Sequence, residues 1–339
     1  MTHAPRVAIT PGCPCGVGPE VVARALSNPR LARSASWLVV GAAGPVCHAL
    51  AAHAPGVPLR RGRVGDPPGE PGTVTLWDAA ATRARFVPGR PTAAADAASA
   101  RALRLVLDAA VAQRVDAVAT GPVRKQALRR LPGGPFPGHT ELFHHVLGTT
   151  PAPVMLFVAP GLRLALHTIH LPLSRVAAAV TKPRLRVTLD VLARGLSREL
   201  GLRGRLDVLG LNPHAGEGGL LGREEQDVIS PTLAAARRDG LEVDGPFPAD
   251  GYFARYSQHR DRPAAVLAMF HDQGLAPFKL WERGRGCQMT LGLSVPRTSC
   301  DHGTAYDIAG HGTADGRSMA AAMRLAVDVA HRRIRGRRV

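Results

Sequence analysis

Short apolar runs alternate along the chain with longer stretches whose apolar residues recur at helical spacing. One such stretch, 94–113, aligns five apolar residues on one helical face: Leu103, Val106, Leu107, Ala110 and Val111. This alternation is typical of an α/β fold. It predicts strands at 6–10, 37–41, 73–77, 117–120, 154–158, 163–168, 206–211, 265–270 and 289–291. It predicts helices at 19–27, 94–113, 141–147, 183–200, 223–238 and 316–333. Residues 54–92 are predicted as loops around the single strand 73–77.

Length and composition bound the class of protein. The chain has 339 residues, 45% of them hydrophobic, which is enough for two domains or one large α/β unit. The net charge of +17 raises the possibility of a nucleic-acid partner. The arginines are scattered, however, and the densest run is the terminal HRRIRGRRV. With only 4% aromatic residues there is little to stack on bases, so we expect no specific nucleic-acid partner.

Location is predicted from what the sequence lacks. No run of about 20 apolar residues indicates a membrane span, and the first residues do not form a basic-then-apolar leader. We therefore expect a cytoplasmic protein with no membrane partner. Five cysteines, an odd number, argue against a disulfide framework.

The stretch ITPGCPCGVGPE, residues 9–20, places Cys13 and Cys15 one residue apart. A redox pair would be C-x-x-C, and a structural zinc site needs more ligands nearby. The glycine spacing does not fit a dinucleotide-binding loop either. We interpret the stretch as a Gly/Pro turn that joins the first strand to the first helix.

Polar side chains follow several predicted strands, where ligands gather in open α/β sheets. RLALHTIHLPL provides His167 and His170, LDVLGLNPHAGEGG provides His214, and AVLAMFHDQG provides His271 and Asp272. A lone histidine at a strand end is more often structural, but several at equivalent ends favour a shared site. Neutral imidazole is a common ligand of divalent transition metals, so a metal site is one interpretation.

A second group of residues suits an anion. His139 and Thr140 begin a predicted helix, whose N-terminus offers free N–H donors. Lys279 and Arg297 follow other apolar runs, and converging cations favour a phosphate or carboxylate. In CDHGTAYDIAGHGTADG, glycines allow close approach of a ligand to the backbone. No G-x-G-x-x-G opens a helix after a strand, so a Rossmann fingerprint is not supported.

Taken together, these segments resemble the 4-hydroxythreonine-4-phosphate dehydrogenase family. They occur in order from residue 9 to about 316: ITPGCPCGVGPE, ATGPVRK, PGHTELF, HTIHLPL, LNPHAGEGGLLGREE, GPFPADGYF, FHDQGLAPFKL, MTLGLSVPRTS and DHGTAYDIAG. The resemblance implies a two-domain α/β fold similar to isocitrate and isopropylmalate dehydrogenases, with the active site in the interdomain cleft. We expect residues 1–135 plus 305–339 in the first domain. Residues 136–304 would form the second, with the metal ligands and the dimer interface.

The resemblance also implies roles for individual residues. A divalent metal, typically zinc but with magnesium, manganese or cobalt as alternatives, would be held by His170, His214 and His271. The substrate phosphate would be bound by His139, Thr140, Lys279, Gln288 and Arg297. NAD or NADP would lie along the segment that holds Asp301, Gly303, Thr304, Ala305 and Asp307. Asp250, Asp272 and Lys279 are the candidates for catalysis, and the family forms homodimers with shared active sites.

The implied reaction is oxidation of a secondary alcohol on a small anionic hydroxy acid, followed by loss of CO2. Some residues depart from the family pattern: Cys13 stands where an acidic residue is usual, Arg124 replaces an asparagine, and Gln288 replaces another. An extra arginine at position 124 would suit a second substrate carboxylate if it faces the cleft. The alternatives are therefore a phosphorylated threonate or erythronate, a dicarboxylated cis-dihydrodiol, or a binding protein that has lost catalysis.

Overall fold

The computed structural model describes residues 4–80, 84–258 and 261–336. The chain divides into two compact units. Unit 1 comprises residues 1–148, 284–289 and 293–339, and unit 2 comprises residues 149–283 and 290–292. Three residues of the predicted loop 54–92, residues 81–83, and the last three of the basic tail, 337–339, lie outside the described residues.

The strands, numbered along the chain, are β1 Arg6–Thr10, β2 Ser36–Gly41, β3 Leu59–Gly62, β4 Val74–Asp78, β5 Ala117–Thr120, β6 Val154–Ala159, β7 Leu162–Leu166, β8 Leu206–Leu209, β9 Val243–Phe247, β10 Ala265–Ala268, β11 Cys287–Leu291 and β12 Arg297–Cys300. All the predicted strands are confirmed, with ends that shift by at most two residues. β3, β9 and β12 were not predicted, and β3 corrects the interpretation of 54–92 as loops around one strand.

The helices are α1 Gly18–Leu26, α2 Pro29–Ala32, α3 Ala43–His53, α4 Ala93–Val111, α5 Lys125–Leu128, α6 His139–Leu147, α7 Val176–Ala179, α8 Lys182–Gly195, α9 Ser230–Arg238, α10 Ala249–Arg255, α11 His271–Glu282 and α12 Arg317–Gly336. The predicted helices are confirmed. The predicted ranges 183–200 and 223–238 each include a π-type segment, at Leu196–Leu200 and Glu225–Ile229. Across the described ranges, no helix is both long and apolar enough to cross a membrane.

Unit 1 contains a parallel sheet in the order β3-β4-β2-β1-β5-β12. The residues of β1 and β2 are buried, except for the half-buried Arg6, because helices cover both faces of a parallel sheet. One core packs α1, α3 and α12 against the sheet, around Trp37 and Met319. A second core packs α4 and α6 on the other face, around Leu103 and Phe143.

Unit 2 contains strands in the order β6-β7-β10-β8-β9. β6 and β7 form an antiparallel pair, and the remaining pairs are parallel. A core around Leu164, Phe278, Tyr252 and Tyr256 fixes α10 and α11 against the sheet. Because β7, β8 and β10 run parallel, their carboxyl ends lie along one edge of this sheet.

The division between the units differs from the predicted boundaries at 135 and 304. Residues 136–148 and 293–304 belong to unit 1. For α6 the reason is packing, since Leu142 and Phe143 are buried in the core beside β5. For β12 it is strand pairing, since Arg297 lies opposite Val118 in a parallel register with β5.

Candidate functional site

Three histidines of unit 2 lie beyond the carboxyl ends of parallel strands. His170 follows β7, His214 follows β8, and His271 begins α11 directly after β10. The imidazole centroids of His170 and His271 are 6.1 Å apart. The fold therefore brings two of the three predicted metal ligands close together.

A carboxylate accompanies two of these imidazoles. His271 Nδ1 lies 2.6 Å from Asp272 Oδ1, and His214 Nδ1 lies 3.0 Å from Glu217 Oε2. A metal-binding histidine commonly donates its other ring N–H to a carboxylate, which fixes the tautomer and leaves Nε2 for the metal. The residues thus fit a metal, although within the described ranges of this one chain no three potential ligands form a group. The three-histidine site remains a prediction.

The segment that carries His214 has an unusual backbone. His214, Ala215 and Glu217 adopt φ of 51°, 52° and 43°, next to glycines in the same left-handed region. Non-glycine residues in this region are strained by roughly 1–3 kcal/mol each. Such strain persists only where neighbouring structure enforces it, so it marks the segment as a candidate functional loop.

Glu225 holds this loop at its base. The side chain is 3% exposed, and its Oε1 accepts hydrogen bonds from the N–H groups of Leu211 at 2.7 Å and Asn212 at 2.8 Å. Its Oε2 accepts from the Asn212 amide at 2.9 Å. Glu225 was not predicted as a site residue, although it lies in the segment LNPHAGEGGLLGREE that carries the resemblance.

In unit 1, Arg297 is the centre of a buried polar group. Its side chain donates to Thr120 Oγ1 from Nε at 3.1 Å and from a terminal nitrogen at 2.7 Å. The other terminal nitrogen donates to Gln288 Oε1 at 2.8 Å. Arg297 is only 2% exposed, and burial lowers the pKa of the guanidinium to about 10. Two predicted residues, Gln288 and Arg297, are thus in direct contact, and Thr120 joins them.

His139 lies in the same unit at the first position of α6. Its ring contacts Phe143 edge-on at 6.4 Å, and the Arg297 guanidinium lies 5.5 Å above that same Phe143 ring. Burial, with the charge of Arg297, lowers the pKa of His139 well below its ordinary value, so the imidazole is neutral. No described residue bonds to His139 Nε2, a buried atom. Because Gly138 caps α6 without a side-chain hydrogen bond, backbone N–H groups remain available to an anion there.

The remaining residues predicted for phosphate binding and catalysis are divided between the two units. Thr140 is buried in α6. Lys279 is exposed on α11 and Asp250 is exposed in the first turn of α10, both in unit 2. Asp272 contacts His271, which gives it an orienting role at the candidate metal site. The choice between Asp250 and Lys279 for proton transfer stays a prediction.

The predicted cofactor segment packs on the opening turn of the chain. The carbonyl of Thr304 accepts from Val17 N at 3.0 Å, and a Cβ at Gly16 would lie 2.7 Å from that carbonyl oxygen. Asp301 is oriented by Ser318, whose hydroxyl donates to Asp301 Oδ1 at 2.9 Å. Ala305 adopts φ of 42°, a strained left-handed conformation. The two segments therefore form one tightly packed loop pair.

A cavity of about 890 Å3 lies beside this loop pair in unit 1. Its lining includes Pro14 and Gly16 of the opening turn, His48 and His53 of α3, Asp78 at the end of β4, and residues 310–312. Its volume is within the range of small-molecule sites. The sequence held no signal for α3 as a wall of this cavity, since that helix was not predicted.

The departures at Cys13 and Arg124 have a structural explanation. Arg124 forms an ion pair with Asp96 of α4, with Nε 2.9 Å from Oδ1, and Asp96 is 3% exposed. The suggestion that Arg124 receives a substrate carboxylate is therefore weakened, because its guanidinium is already paired with a carboxylate of the protein. Cys13 and Cys15 are buried free thiols packed against Ala95 and Tyr306, and burial raises the pKa of Cys15 to about 11.

The chain is similar in sequence to the proteins of one family. The family model "Pyridoxal phosphate biosynthetic protein PdxA" matches residues 37–326. The 4-hydroxythreonine-4-phosphate dehydrogenase of Burkholderia vietnamiensis is 44% identical, covering 97% of this chain and 98% of that protein. That of Thioalkalivibrio sulfidiphilus is 43% identical over the same shares of the two chains.

Solved structures of two dehydrogenases have folds similar to that of this chain. The Klebsiella pneumoniae 4-hydroxythreonine-4-phosphate dehydrogenase superposes with a TM-score of 0.81 at 36% identity, over 96% of this chain and 99% of that one. A terephthalate 1,2-cis-dihydrodiol dehydrogenase from Burkholderia xenovorans gives 0.62 at 27% identity, over 96% and 98%.

The fold and the site define a dehydrogenase with the isocitrate/isopropylmalate dehydrogenase-like α/β architecture. Within that class, the chain belongs to the PdxA family, the pyridoxal phosphate biosynthetic proteins.

Proposed function

We propose that the protein oxidises 4-hydroxythreonine-4-phosphate, or a closely related phosphorylated hydroxy acid, with NAD or NADP and a divalent metal, with loss of CO2. One observation carries this proposal. Arg297 is buried, bonds to the neutral groups of Thr120 and Gln288 and interacts with the charge of Glu141, and it lies near His139, whose Nε2 has no described partner. A buried guanidinium next to an open N–H position is built for an anion, and a phosphate monoester satisfies both.

In unit 1, each residue has a distinct part in holding the phosphate. Thr120 and Gln288 accept from Arg297 and so fix the orientation of its guanidinium plane. The neutral His139 ring donates from Nε2 when its proton is on that nitrogen. The first N–H groups of α6, at Thr140 and beyond, add donors at the positive end of the helix dipole. The site thus binds the phosphate through hydrogen-bond donors.

In unit 2, His170 and His271 would hold the metal, with zinc the first candidate. When bound, the metal supplies Lewis acidity that lowers the pKa of the substrate hydroxyl. Asp272 keeps the His271 tautomer that presents Nε2, and Glu217 does the same for His214. Asp250 and Lys279 remain the candidates to move a proton after CO2 is lost.

A homodimer would supply the third metal ligand, which a single chain does not bring to the other two. Large apolar side chains are exposed in unit 2 near the candidate metal ligands in sequence: Leu173 at 71%, Leu220 at 84% and Leu280 at 81%. Where exposed apolar side chains form a patch, they favour self-association. We assign His214 of a second copy as the third ligand, in a cytoplasmic dimer whose active sites are shared.

The cofactor fits the cavity of about 890 Å3 beside residues 310–312. The loop of Asp301, Gly303, Thr304, Ala305 and Asp307 leads to this cavity and is braced by the opening turn. Glycines at 310 and 312 leave the backbone open to a ligand. A dinucleotide would enter here without a Rossmann fingerprint.

The test is substrate-specific reduction of NAD and NADP by the zinc-loaded enzyme. 4-Hydroxythreonine-4-phosphate is compared with 4-phosphoerythronate and with a dicarboxylated cis-dihydrodiol. We expect turnover of a phosphorylated hydroxy acid and none of the dihydrodiol. If only the dihydrodiol is oxidised, the phosphate assignment is wrong, and if none of the three compounds is oxidised, the protein has lost catalysis.

The metal assignment is tested separately with His214→Ala and its control, His331→Ala on α12. We expect His214→Ala to lose both bound zinc and NAD reduction while the control keeps both. Retention of zinc and activity in His214→Ala would overturn the metal site but leave the phosphate site standing.

A further inference from the structure

Unit 2 has a second cavity, of about 660 Å3, at the edge of its sheet opposite the histidines. It is formed where β8, β9 and β10 begin, whereas His214 and His271 follow the ends of β8 and β10. Its lining includes a group of arginines, which we call the arginine cluster: Arg163, Arg203, Arg205, Arg237 and Arg262. Neither the family resemblance nor the proposed reaction uses these residues.

Carboxylates neutralise only part of the arginine cluster. Arg205 pairs with Asp207 at 2.6 Å and with Asp261 at 3.0 Å, and Arg237 pairs with Asp244 at 3.4 Å. In the portion of the chain that the structure describes, no carboxylate lies within ion-pair distance of the other three arginines, Arg163, Arg203 and Arg262. Among the described residues, three guanidinium groups thus line one cavity without an ion pair of their own, although Glu242, Asp244 and Asp261 line the same cavity.

Arg262 is exposed, but several contacts orient its side chain in this cluster. Its guanidinium lies 5.6 Å from the ring of Tyr256 and 5.3 Å from that of Trp281, and it donates to the carbonyl of Gly161 at 3.4 Å. Gly161 has φ of +78°, and a Cβ there would lie 2.3 Å from the nearer nitrogen of Arg262. A side chain at residue 161 would have to displace the end of the Arg262 side chain, so glycine favours this position of the guanidinium.

Arg163 is also fixed, by neutral groups alone. It donates to the carbonyls of Ala264 and Pro263. Burial lowers its pKa, and the nearby charge of Arg262 lowers it further. Two fixed cations that repel each other are stabilised by an anion between them. Arg203 is exposed at the rim and is free to turn towards such an anion.

We propose that the arginine cluster binds a small organic anion with at least two negative charges, of the phosphate-ester or polycarboxylate type. Guanidinium groups pair with both kinds of oxyanion through two parallel N–H···O bonds. The cavity volume is within the usual range for a ligand site. Because the site lies at the opposite edge of the sheet from the histidines, its ligand is an effector and not the substrate.

The probes are inorganic pyrophosphate and citrate, titrated into the full-length zinc-loaded protein by calorimetry at physiological salt. The test variant is Arg203→Glu, at an exposed position that no packing depends on. Its control is Arg223→Glu, also exposed and in unit 2, where the arginine pairs with Asp227. Both variants change the net charge equally, so they share any long-range electrostatic effect.

We expect at least one probe to bind below about 1 mM, and Arg203→Glu to weaken that binding on the order of tenfold more than Arg223→Glu. Gly161→Ala, which displaces Arg262, should weaken it as well. Pyrophosphate binding without citrate binding would identify a phosphate ligand, and the reverse a polycarboxylate.

The proposal is overturned if neither probe binds, or if the two glutamate variants weaken binding equally. It is also overturned if Arg203→Glu changes the KM for the phosphorylated substrate and leaves probe binding unchanged. The result is independent of the proposed function, because a failure of turnover would not affect the binding measurements.

Discussion

Arg124 and Asp96 form an ion pair that joins the loop after β5 to the first turn of α4, with Asp96 almost fully buried. The pair lies beside Cys13 and Tyr306, since the charge interactions of both raise the pKa of Arg124 after the larger effect of Asp96. Tyr306 belongs to the segment after β12 that we assign to the cofactor. The ion pair therefore links the opening turn, the β5 loop and the cofactor segment.

Replacing Asp96 should test that link. Asp96→Asn leaves the half-buried guanidinium of Arg124 without its charge partner, and we expect a loss of roughly 1.5–3 kcal/mol in the free energy of unfolding. Because Cys13 lies near Arg124, a carboxylate at residue 13 can take over the pairing. We therefore expect Cys13→Glu to restore part of the stability in the Asp96→Asn background. Urea unfolding of the two single variants and the double variant measures the coupling, and simple additivity would contradict the idea.

The carboxylate beside His271 should determine metal affinity. Asp272→Asn keeps the shape of the side chain but removes the charge that accepts from His271 Nδ1. We expect zinc affinity to fall on the order of 10- to 100-fold, with kcat falling less at saturating zinc. Competition with a chromogenic chelator measures the affinity. Asp227→Asn, an exposed change in unit 2, is the control, and an equal effect in both variants would exclude the orienting role.

The fork of Arg297 should determine affinity for the phosphorylated substrate. Arg297→Lys keeps a cation but cannot bond Thr120 and Gln288 together while facing a ligand. We expect KM to rise on the order of tenfold or more, corresponding to at least ~1.4 kcal/mol. Arg223→Lys is the control for the general effect of the exchange. An unchanged KM in a folded Arg297→Lys variant would mean that the phosphate binds elsewhere.

Acid stability should depend on His167. This side chain is buried after β7, where its Nδ1 lies 2.9 Å from Thr188 Oγ1, and burial, with the charge of Arg184, lowers its pKa from 6.5 to about 4. Between these values the unfolded chain binds the proton and the folded chain does not. Stability therefore falls as pH decreases from about 6.5 to 4, by about 3 kcal/mol from this group alone.

Thermal unfolding of His167→Gln against the parent, at a series of pH values from 7 to 4, measures this contribution. The variant should lose less stability on acidification than the parent, even if it is less stable at neutral pH. His48→Gln, at an exposed histidine on α3, should follow the parent. Parallel curves for the parent and His167→Gln would contradict the assignment.

Strands and long amphipathic helices were predictable because burial imposes a period on the sequence. α4, with Leu103 and Leu107 in its core face, is an example. α11 was missed because Gly274 and Pro277 interrupt its pattern; the helix forms because Phe278 and Leu275 pack in the unit 2 core. β12 was missed because it contains no apolar alternation, and its pairing with β5 determines its structure.

Site residues were predictable where they follow strands or carry the family motifs, as with His271 and Arg297. The contact of Thr120 with Arg297 was not predicted, and Glu225 and Asp96 were not assigned roles, because each acts through a partner elsewhere in the sequence. Thr120 is 177 residues from Arg297. Such roles depend on tertiary packing, which local spacing does not encode.

The two units also differ in when they can be completed during synthesis. Apart from residues 290–292, unit 2 is one continuous segment, residues 149–283, whereas unit 1 needs β12 and α12 from the end of the chain. The side chains of Met319 and Met323, which fill the core of unit 1, emerge from the ribosome last. Domains usually fold in the order of their synthesis, but here we expect the nascent histidine-bearing unit to mature before the N-terminal one. Unit 1 would then keep part of its core open until translation ends.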